Sequence, residues 1–225
     1  MAWRSSGATN AALVENMARN GLITSSRVKQ AMLRVDRAHY TEQAPYQDSP
    51  QYIGHLATIS APHMHASACE SLLPHLQPGS KVLDVGCGSG YLTHVLAELV
   101  KPDGKVVGID HIQPLVDLSR GNTRKSTAGL DLLRSGAIRY ITADGRLGWK
   151  EEAPYDAIHV GAAAADFHQE LIDQLKAPGR LFIPVEEDQL QHIWVIDKDE
   201  RGVITRSKEY GVRYVPLTDT PKPEH

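Results

Sequence analysis

Apolar positions recur along this chain with two alternating periods, and the alternation predicts the architecture. Over residues 9–41, Leu13, Val14 and Met17 form one helical stripe, and Val28, Met32, Leu33 and Val35 form another. Gly21 closes the first helix and Ser25 or Ser26 opens the second. Periodicity fades over 36–60 among Tyr40, Pro45, Tyr46, Pro50 and Tyr52, which predicts an ordered loop. Ser60-Ala61-Pro62 reads as a helix start, with Ser60 as N-cap and Pro62 in the first turn. That helix runs through His65, Cys69, Leu72 and Leu73 to Pro74 or Leu76. Beyond it strands and helices alternate: strand 82–85, a helix after Gly90, strand 106–110, a helix from about Gln113, strands 139–142 and 157–160, a helix around 167–176, strand 181–185. Short connections between alternating elements imply a doubly wound, mostly parallel sheet covered on both faces. Segments 193–196 and 203–207 flank the turn-rich run 197–202 and predict a C-terminal antiparallel hairpin at the sheet edge.

Composition narrows the class. A chain of 225 residues with 41% hydrophobic content suits one α/β domain and is short for two. One folded unit over 1–225 is expected, a helical and loop extension at 1–60 packed on a core at 78–220. Lys plus Arg number 24 against 27 for Asp plus Glu, so the basic excess that nucleic-acid backbones attract is absent, and no nucleic-acid partner is expected. Met1-Ala2-Trp3-Arg4-Ser5-Ser6 has no apolar core of signal-peptide length, and no later run approaches a membrane span. The cytosol is the expected compartment, with no membrane partner. Cys69 and Cys87 have neither zinc-ligand nor CxxC spacing. Cys87 either packs, the favoured reading, or has its thiol pKa lowered near a helix N-terminus.

The chemistry concentrates in Lys81-Val82-Leu83-Asp84-Val85-Gly86-Cys87-Gly88-Ser89-Gly90-Tyr91-Leu92-Thr93 and in Gly108-Ile109-Asp110-His111. A strand running into glycines and then a helix lets a ligand approach bare backbone, and an acid ending the next strand is placed for ribose hydroxyls. A dinucleotide fingerprint needs a small residue where Tyr91 stands, whereas here glycine falls at every second position, Gly86, Gly88 and Gly90. With Asp84 two residues before, the run resembles the first motif of S-adenosylmethionine-dependent methyltransferases. Asp110 lies 110 − 90 = 20 residues beyond Gly90, the interval of a ribose-binding acid; an N-cap ahead of Ile112 and Pro114 is the alternative. At the third strand end Asp144 fits an acceptor for an adenine amino group, with Gly145 letting the backbone pass the ring; a plain Asp-Gly turn is the alternative. The fourth strand end, Gly161-Ala162-Ala163-Ala164, is small and uncharged. It leaves room for an extended peptide rather than a stacked base.

A second constellation, residues 50–65, carries a hydroxyl, loop amides and two histidines to the start of a helix, where an anion is stabilised. A carboxylate substrate fits there; Ser60 as an ordinary N-cap is the alternative. His63 and His65, two residues apart, point to different helix faces, so no metal site is expected.

The segment Thr58-Ile59-Ser60-Ala61-Pro62-His63-Met64-His65-Ala66 resembles the protein-L-isoaspartate (D-aspartate) O-methyltransferases. Pro45-Tyr46, Asp48-Ser49-Pro50, residues 152–163 and Val215-Pro216-Leu217-Thr218-Asp219 extend the likeness from Met1-Ala2-Trp3 to about Asp219. The resemblance implies methyl transfer from S-adenosylmethionine to the α-carboxylate of L-isoaspartyl residues, less efficiently to D-aspartyl, and S-adenosylhomocysteine as product. It implies Ser60 as the catalytic residue. Cofactor contacts carry over to Ala57, Thr58, Ile59, Ser60, His65, Asp84, Gly86, Gly88, Gly90, Tyr91, Leu92, Asp110, His111, Asp144, Gly145 and Thr218. Ala61, His63 and the segment Gly211-Val212-Arg213-Tyr214, with Val212 and Tyr214 foremost, are expected to line a groove for isoaspartyl proteins and peptides. A monomer is expected. Cys87 stands where serine or threonine is common in the family, and Ala143 where glycine is common. A nicotinamide oxidoreductase, opposed by the glycine spacing, and a non-catalytic cofactor-binding adaptor are the alternatives.

Overall fold

The computed structural model describes residues 5–217. Two capped helices come first. Thr9 accepts the Ala12 N–H at the start of α1 (Asn10–Arg19), and Ser25 accepts the Arg27 N–H at the start of α2 (Ser26–Arg34). Their apolar stripes, Leu13, Val14 and Met17 on one and Val28, Ala31 and Met32 on the other, are buried as their spacing requires. The expected loop over 36–60 contains more order than its composition suggests: a 3-10 turn at Arg37–His39 and an antiparallel pair, β1 (Gln51–Gly54) and β2 (Ala57–Ile59). The hairpin turns through His55 and Leu56 at φ 51° and 57°, with no glycine or asparagine there to advertise it. Helix α3 (Pro62–Leu72) follows, with Pro62 at its first position. Its N-cap is Ala61 rather than Ser60, and no side chain bonds the cap, so the Ser60 hydroxyl is not spent on the helix.

The alternating core is β3 (Lys81–Val85), α4 (Tyr91–Leu99), β4 (Lys105–Asp110), α5 (Gln113–Thr123), α6 (Thr127–Arg134), β5 (Ile138–Thr142), β6 (Tyr155–Val160) and α7 (Gln169–Asp173). It ends in β7 (Leu175–Glu187), β8 (Leu190–Lys198) and β9 (Ile204–Val212). The seven-stranded sheet has the order β5-β4-β3-β6-β7-β8-β9, parallel from β5 to β7 and antiparallel across β7, β8 and β9. Alternate residues feed opposite faces. Val82, Val106 and Ala157 join the core under α1 to α4, while Leu83, Val107 and Ile158 join the one beneath α7. Among the described residues, no helix is long and apolar enough to cross a membrane.

Two expectations need correction. The helix expected over 167–176 is only α7, and Lys176 already lies in β7, because Leu175 pairs with Tyr155 of the neighbouring strand. The short strand expected over 181–185 grows to thirteen residues because β8 hydrogen-bonds it from Gly179 to Glu187. Helix α6 was not expected. Ser126 caps it, its hydroxyl accepting the Gly129 N–H, and Leu132 is its one buried apolar side chain, too weak a stripe to read.

This order places the site. The chain leaves β3 toward β4 and β5, then returns to the other side of β3 for β6, so β3 and β6 form the topological switch point. In open α/β sheets the crevice beyond the carboxyl ends of such a pair is where ligands bind.

Candidate active site

The glycine loop leaves β3 at that crevice. Gly86, Gly88 and Gly90 all have positive φ, at 75°, 52° and 85°. At Gly90 the reason is double: a Cβ would also sit 2.7 Å from the Tyr140 hydroxyl and 3.1 Å from Ser119, so the loop packs onto α5 and β5 only without a side chain. Backbone donors of the loop are partly committed, since the Gly86 and Cys87 N–H groups bond the Ile109 carbonyl at 2.8 and 3.0 Å. Cys87 is buried, and burial pushes its thiol well above the ordinary value, which favours the packing role.

Each acid at a strand end is held differently. Asp84 is buried; it accepts the Thr93 hydroxyl at 2.5 Å and pairs with His159 Nδ1 at 2.8 Å. A carboxylate has about four lone-pair positions, so acceptor capacity remains for an ammonium group. Asp110, also buried, accepts the Gly88 N–H at 3.2 Å and the Ile112 N–H at 3.1 Å. Burial raises its pKa, with those donors opposing. The N-cap position of α5 is Ile112, so Asp110 ties the glycine loop to the next strand end with capacity left for hydroxyls. His111 lies beside it at 3.8 Å. Asp144 caps the 3-10 turn Gly145–Leu147 and pairs with the Arg146 guanidinium at 2.7 Å, and the hydrogen bonds from Arg146 hold its carboxyl below the usual range. The Asp-Gly turn alternative therefore describes its local geometry. A Cβ at Gly145 would stand 2.5 Å from Val85 Cγ1, so only glycine lets this turn lie against β3.

Facing the loop are the end of β2 and the start of the segment that follows it. A narrow cleft of about 30 Å³ is bounded by Thr58, Ile59, Ser60 and His65 on one side and by Asp84, the residues 86–89, Leu92 and His159 on the other. A wider groove of about 420 Å³ runs alongside and brings together all four expected peptide contacts, Ala61, His63, Val212 and Tyr214. Thr58, Ser60 and Gly161 line both cleft and groove, so a group held in one meets a group held in the other at Ser60. Burial pushes the Tyr214 phenol up, with a hydrogen bond to Ser60 opposing. Ala57 lines neither space, and the Tyr91 ring turns into the core against Tyr40 and Arg37. Thr218, like Met1-Ala2-Trp3, lies outside the described residues.

The supports of Ser60 and His63 escaped the sequence reading. Arg37, fully buried, donates from Nη2 to the Ser60 carbonyl at 2.8 Å, approaches His65 Nδ1 at 3.3 Å and lies over the Tyr91 ring. Because a guanidinium only donates, His65 Nδ1 is the acceptor and Nε2 carries the proton. Burial and the Arg37 charge hold the His65 pKa well below the ordinary value, so the ring is neutral. Asp48 accepts both the His63 N–H and Nδ1 on one oxygen, at 3.0 and 2.7 Å. An isolated arginine or aspartate inside a polar loop has no periodicity to mark it. Only the loop's path brings them under Ser60 and His63.

The residues present suit a nucleoside cofactor with a cationic end: a loop with glycine at every second position, Asp84 on the narrow cleft beside it and Asp110 at the next strand end, while Gly90, Asp110, His111, Asp144 and Gly145 lie outside the lining of that cleft. The family model for Protein-L-isoaspartate(D-aspartate) O-methyltransferase (PCMT) matches residues 8–222. A Protein-L-isoaspartate O-methyltransferase of Caenorhabditis elegans is 49% identical over 219 residues, covering 97% of this chain and 96% of its own length. The Triticum aestivum protein of the same name is 48% identical over 93% of this chain and 91% of its own. Among solved structures, a Plasmodium falciparum protein assigned as a protein-L-isoaspartate O-methyltransferase, in complex with S-adenosyl-L-homocysteine, is similar with a TM-score of 0.87 and 36% identity. That match covers 94% of this chain and 99% of the other.

Proposed function

The chain belongs to the protein-L-isoaspartate(D-aspartate) O-methyltransferase family, and from that premise we propose that Ser60 holds the substrate carboxylate where the cleft meets the groove. The activity is S-adenosylmethionine-dependent methyl esterification of the α-carboxylate of L-isoaspartyl residues, and less efficiently of D-aspartyl residues. One observation carries the assignment of the site: Thr58, Ser60 and Gly161 line both spaces.

When bound, S-adenosylmethionine supplies an electrophilic methyl group on a sulfonium. Asp84 and the loop of Gly86, Gly88 and Gly90 accept its methionyl end in this reading. Asp110 with His111 would hold the ribose, Asp144 with Gly145 the adenine, and Thr58, Ile59, His65 and Leu92 would supply further contacts from the cleft. The Ser60 hydroxyl, free of any capping duty, donates to one carboxylate oxygen of the substrate. No general base is needed, because a carboxyl group with an ordinary pKa near about 4 has already lost its proton at neutral pH. Orientation is then the main contribution of the protein, and orientation alone is worth up to about 7 to 11 kcal/mol. The ester carbonyl is a better electrophile than the carboxylate, so the neighbouring peptide nitrogen attacks it and expels methanol, closing a succinimide that hydrolyses in part to normal aspartate.

Transfer of labelled methyl into an isoaspartyl peptide, released by mild base as methanol, tests the activity, with the L-aspartyl peptide as control. Equal labelling of the two would overturn the selectivity. Ser60→Ala retaining full single-turnover methylation would remove the role given to Ser60. In the same reading the chain acts as one folded unit and a cytosolic monomer, with no nucleic-acid or membrane partner. A dimeric mass by light scattering would contradict the monomer.

A further inference from the structure

Asp48 is buried behind the groove, 2% exposed, and one of its oxygens has no hydrogen-bond partner among the described residues. A buried carboxylate left half-paired is costly, so its placement calls for a reason. The other oxygen holds His63 twice, at the backbone N–H and at Nδ1, at 3.0 and 2.7 Å. The His63 side chain keeps 26% of its surface exposed and lines the groove beside Ser60. As a carboxylate Asp48 can only accept, so Nδ1 donates, and in the neutral ring Nε2 is left as an acceptor at the groove.

We infer that Asp48 is a positioning residue for substrate selection, orienting His63 so that Nε2 accepts the N–H of the β-linked residue while Ser60 holds its carboxylate. In an isoaspartyl residue the N–H and the reactive carboxylate share one carbon. In an aspartyl residue of either hand a methylene separates them, so a fixed pair of contacts at Ser60 and His63 distinguishes the two. This inference rests on the activity and the Ser60 role proposed above.

The test compares an isoaspartyl peptide with its analogue in which β-linked L-malate replaces the isoaspartyl residue, an ester oxygen standing where the N–H was. Wild-type protein should use the ester about five- to tenfold less well in kcat/KM, the worth of one neutral hydrogen bond. His63→Ala should use both peptides equally, Asp48→Asn should lose most of the discrimination, and His63→Gln should restore part of it. Equal use of both peptides by the wild type, or full discrimination retained in His63→Ala, overturns the inference. Absence of methyl transfer to the isoaspartyl peptide by the wild type would overturn the activity itself and is read separately. Should Asp48→Asn fail to fold, His63→Ala decides alone, because its ring lies outside the buried core.

Discussion

Replacing Arg37 by Met separates a functional charge from a stabilising one. Burial holds the guanidinium pKa below its ordinary value, at about 10, with Tyr91 and Asp48 opposing. Keeping it charged at neutral pH therefore costs the folded state about 3 kcal/mol. Because the folded pKa is the lower one, that cost is present in full below about pH 10 and is lifted as the pH rises from there toward the unfolded value. Against it stands the charged hydrogen bond to the Ser60 carbonyl, about 1.5–3 kcal/mol. These nearly cancel, so Arg37→Met should shift unfolding stability by no more than about 2 kcal/mol. Its effect on turnover should be larger. Without the Nη2 donor the Ser60 carbonyl is unanchored, and loss of 1.5–3 kcal/mol of positioning corresponds to a fall of about 10- to 100-fold in kcat/KM. Arg37→Lys keeps the charge but lacks the fork that reaches Ser60 and His65 together, and should be nearly as slow. Urea unfolding at pH 7 and steady-state methylation of an isoaspartyl peptide measure the two sides. A Met variant destabilised by more than about 4 kcal/mol, with unchanged kcat/KM per folded molecule, would show that Arg37 serves the fold and not the site.

Gly90→Ala forces alanine to φ 85° and its methyl to 2.7 Å from the Tyr140 hydroxyl; thermal unfolding should fall by several degrees, about 1–3 kcal/mol, with weaker S-adenosylhomocysteine binding by calorimetry. Asp110→Asn should weaken S-adenosylhomocysteine binding about tenfold or more by calorimetry, and a cofactor analogue that lacks ribose hydroxyls should lose less, only what the broken tie to the glycine loop costs. Burial alone would raise Glu98, but His94 and Lys101 outweigh it and hold the carboxyl at about 2. The stability it contributes is therefore full above its unfolded value of 4.5 and lost as pH falls toward 2, so the difference between wild type and Glu98→Gln in unfolding free energy should vanish over that window. Burial pushes the thiols of both Cys69 and Cys87 up, so neither should react with Ellman's reagent at pH 8 before the protein unfolds.

The alternating core, the two N-terminal helices and the glycine loop at the end of β3 were legible in the sequence because each is a local pattern. Glycine at every second position and an acid closing a strand have meaning within a dozen residues, and stripes such as Leu13, Val14 and Met17 announce the face that will be buried. Segment 58–65 announced the acceptor only through its likeness to a family, since the residues themselves left Ser60 as either a cap or a substrate ligand. Tertiary structure decided what depends on distant segments meeting. The helix was capped at Ala61, which freed the Ser60 hydroxyl, and β7 lengthened because β8 pairs along it. Arg37 and Asp48 came under Ser60 and His63 because the chain over 36–59 folds back on α3. The return of β6 to the far side of β3 then opened the crevice between them. Hydrophobic periodicity records which face of an element is buried, but it carries no information on which other element covers that face. The supports of a site come from that pairing, so they appear only once the chain has folded.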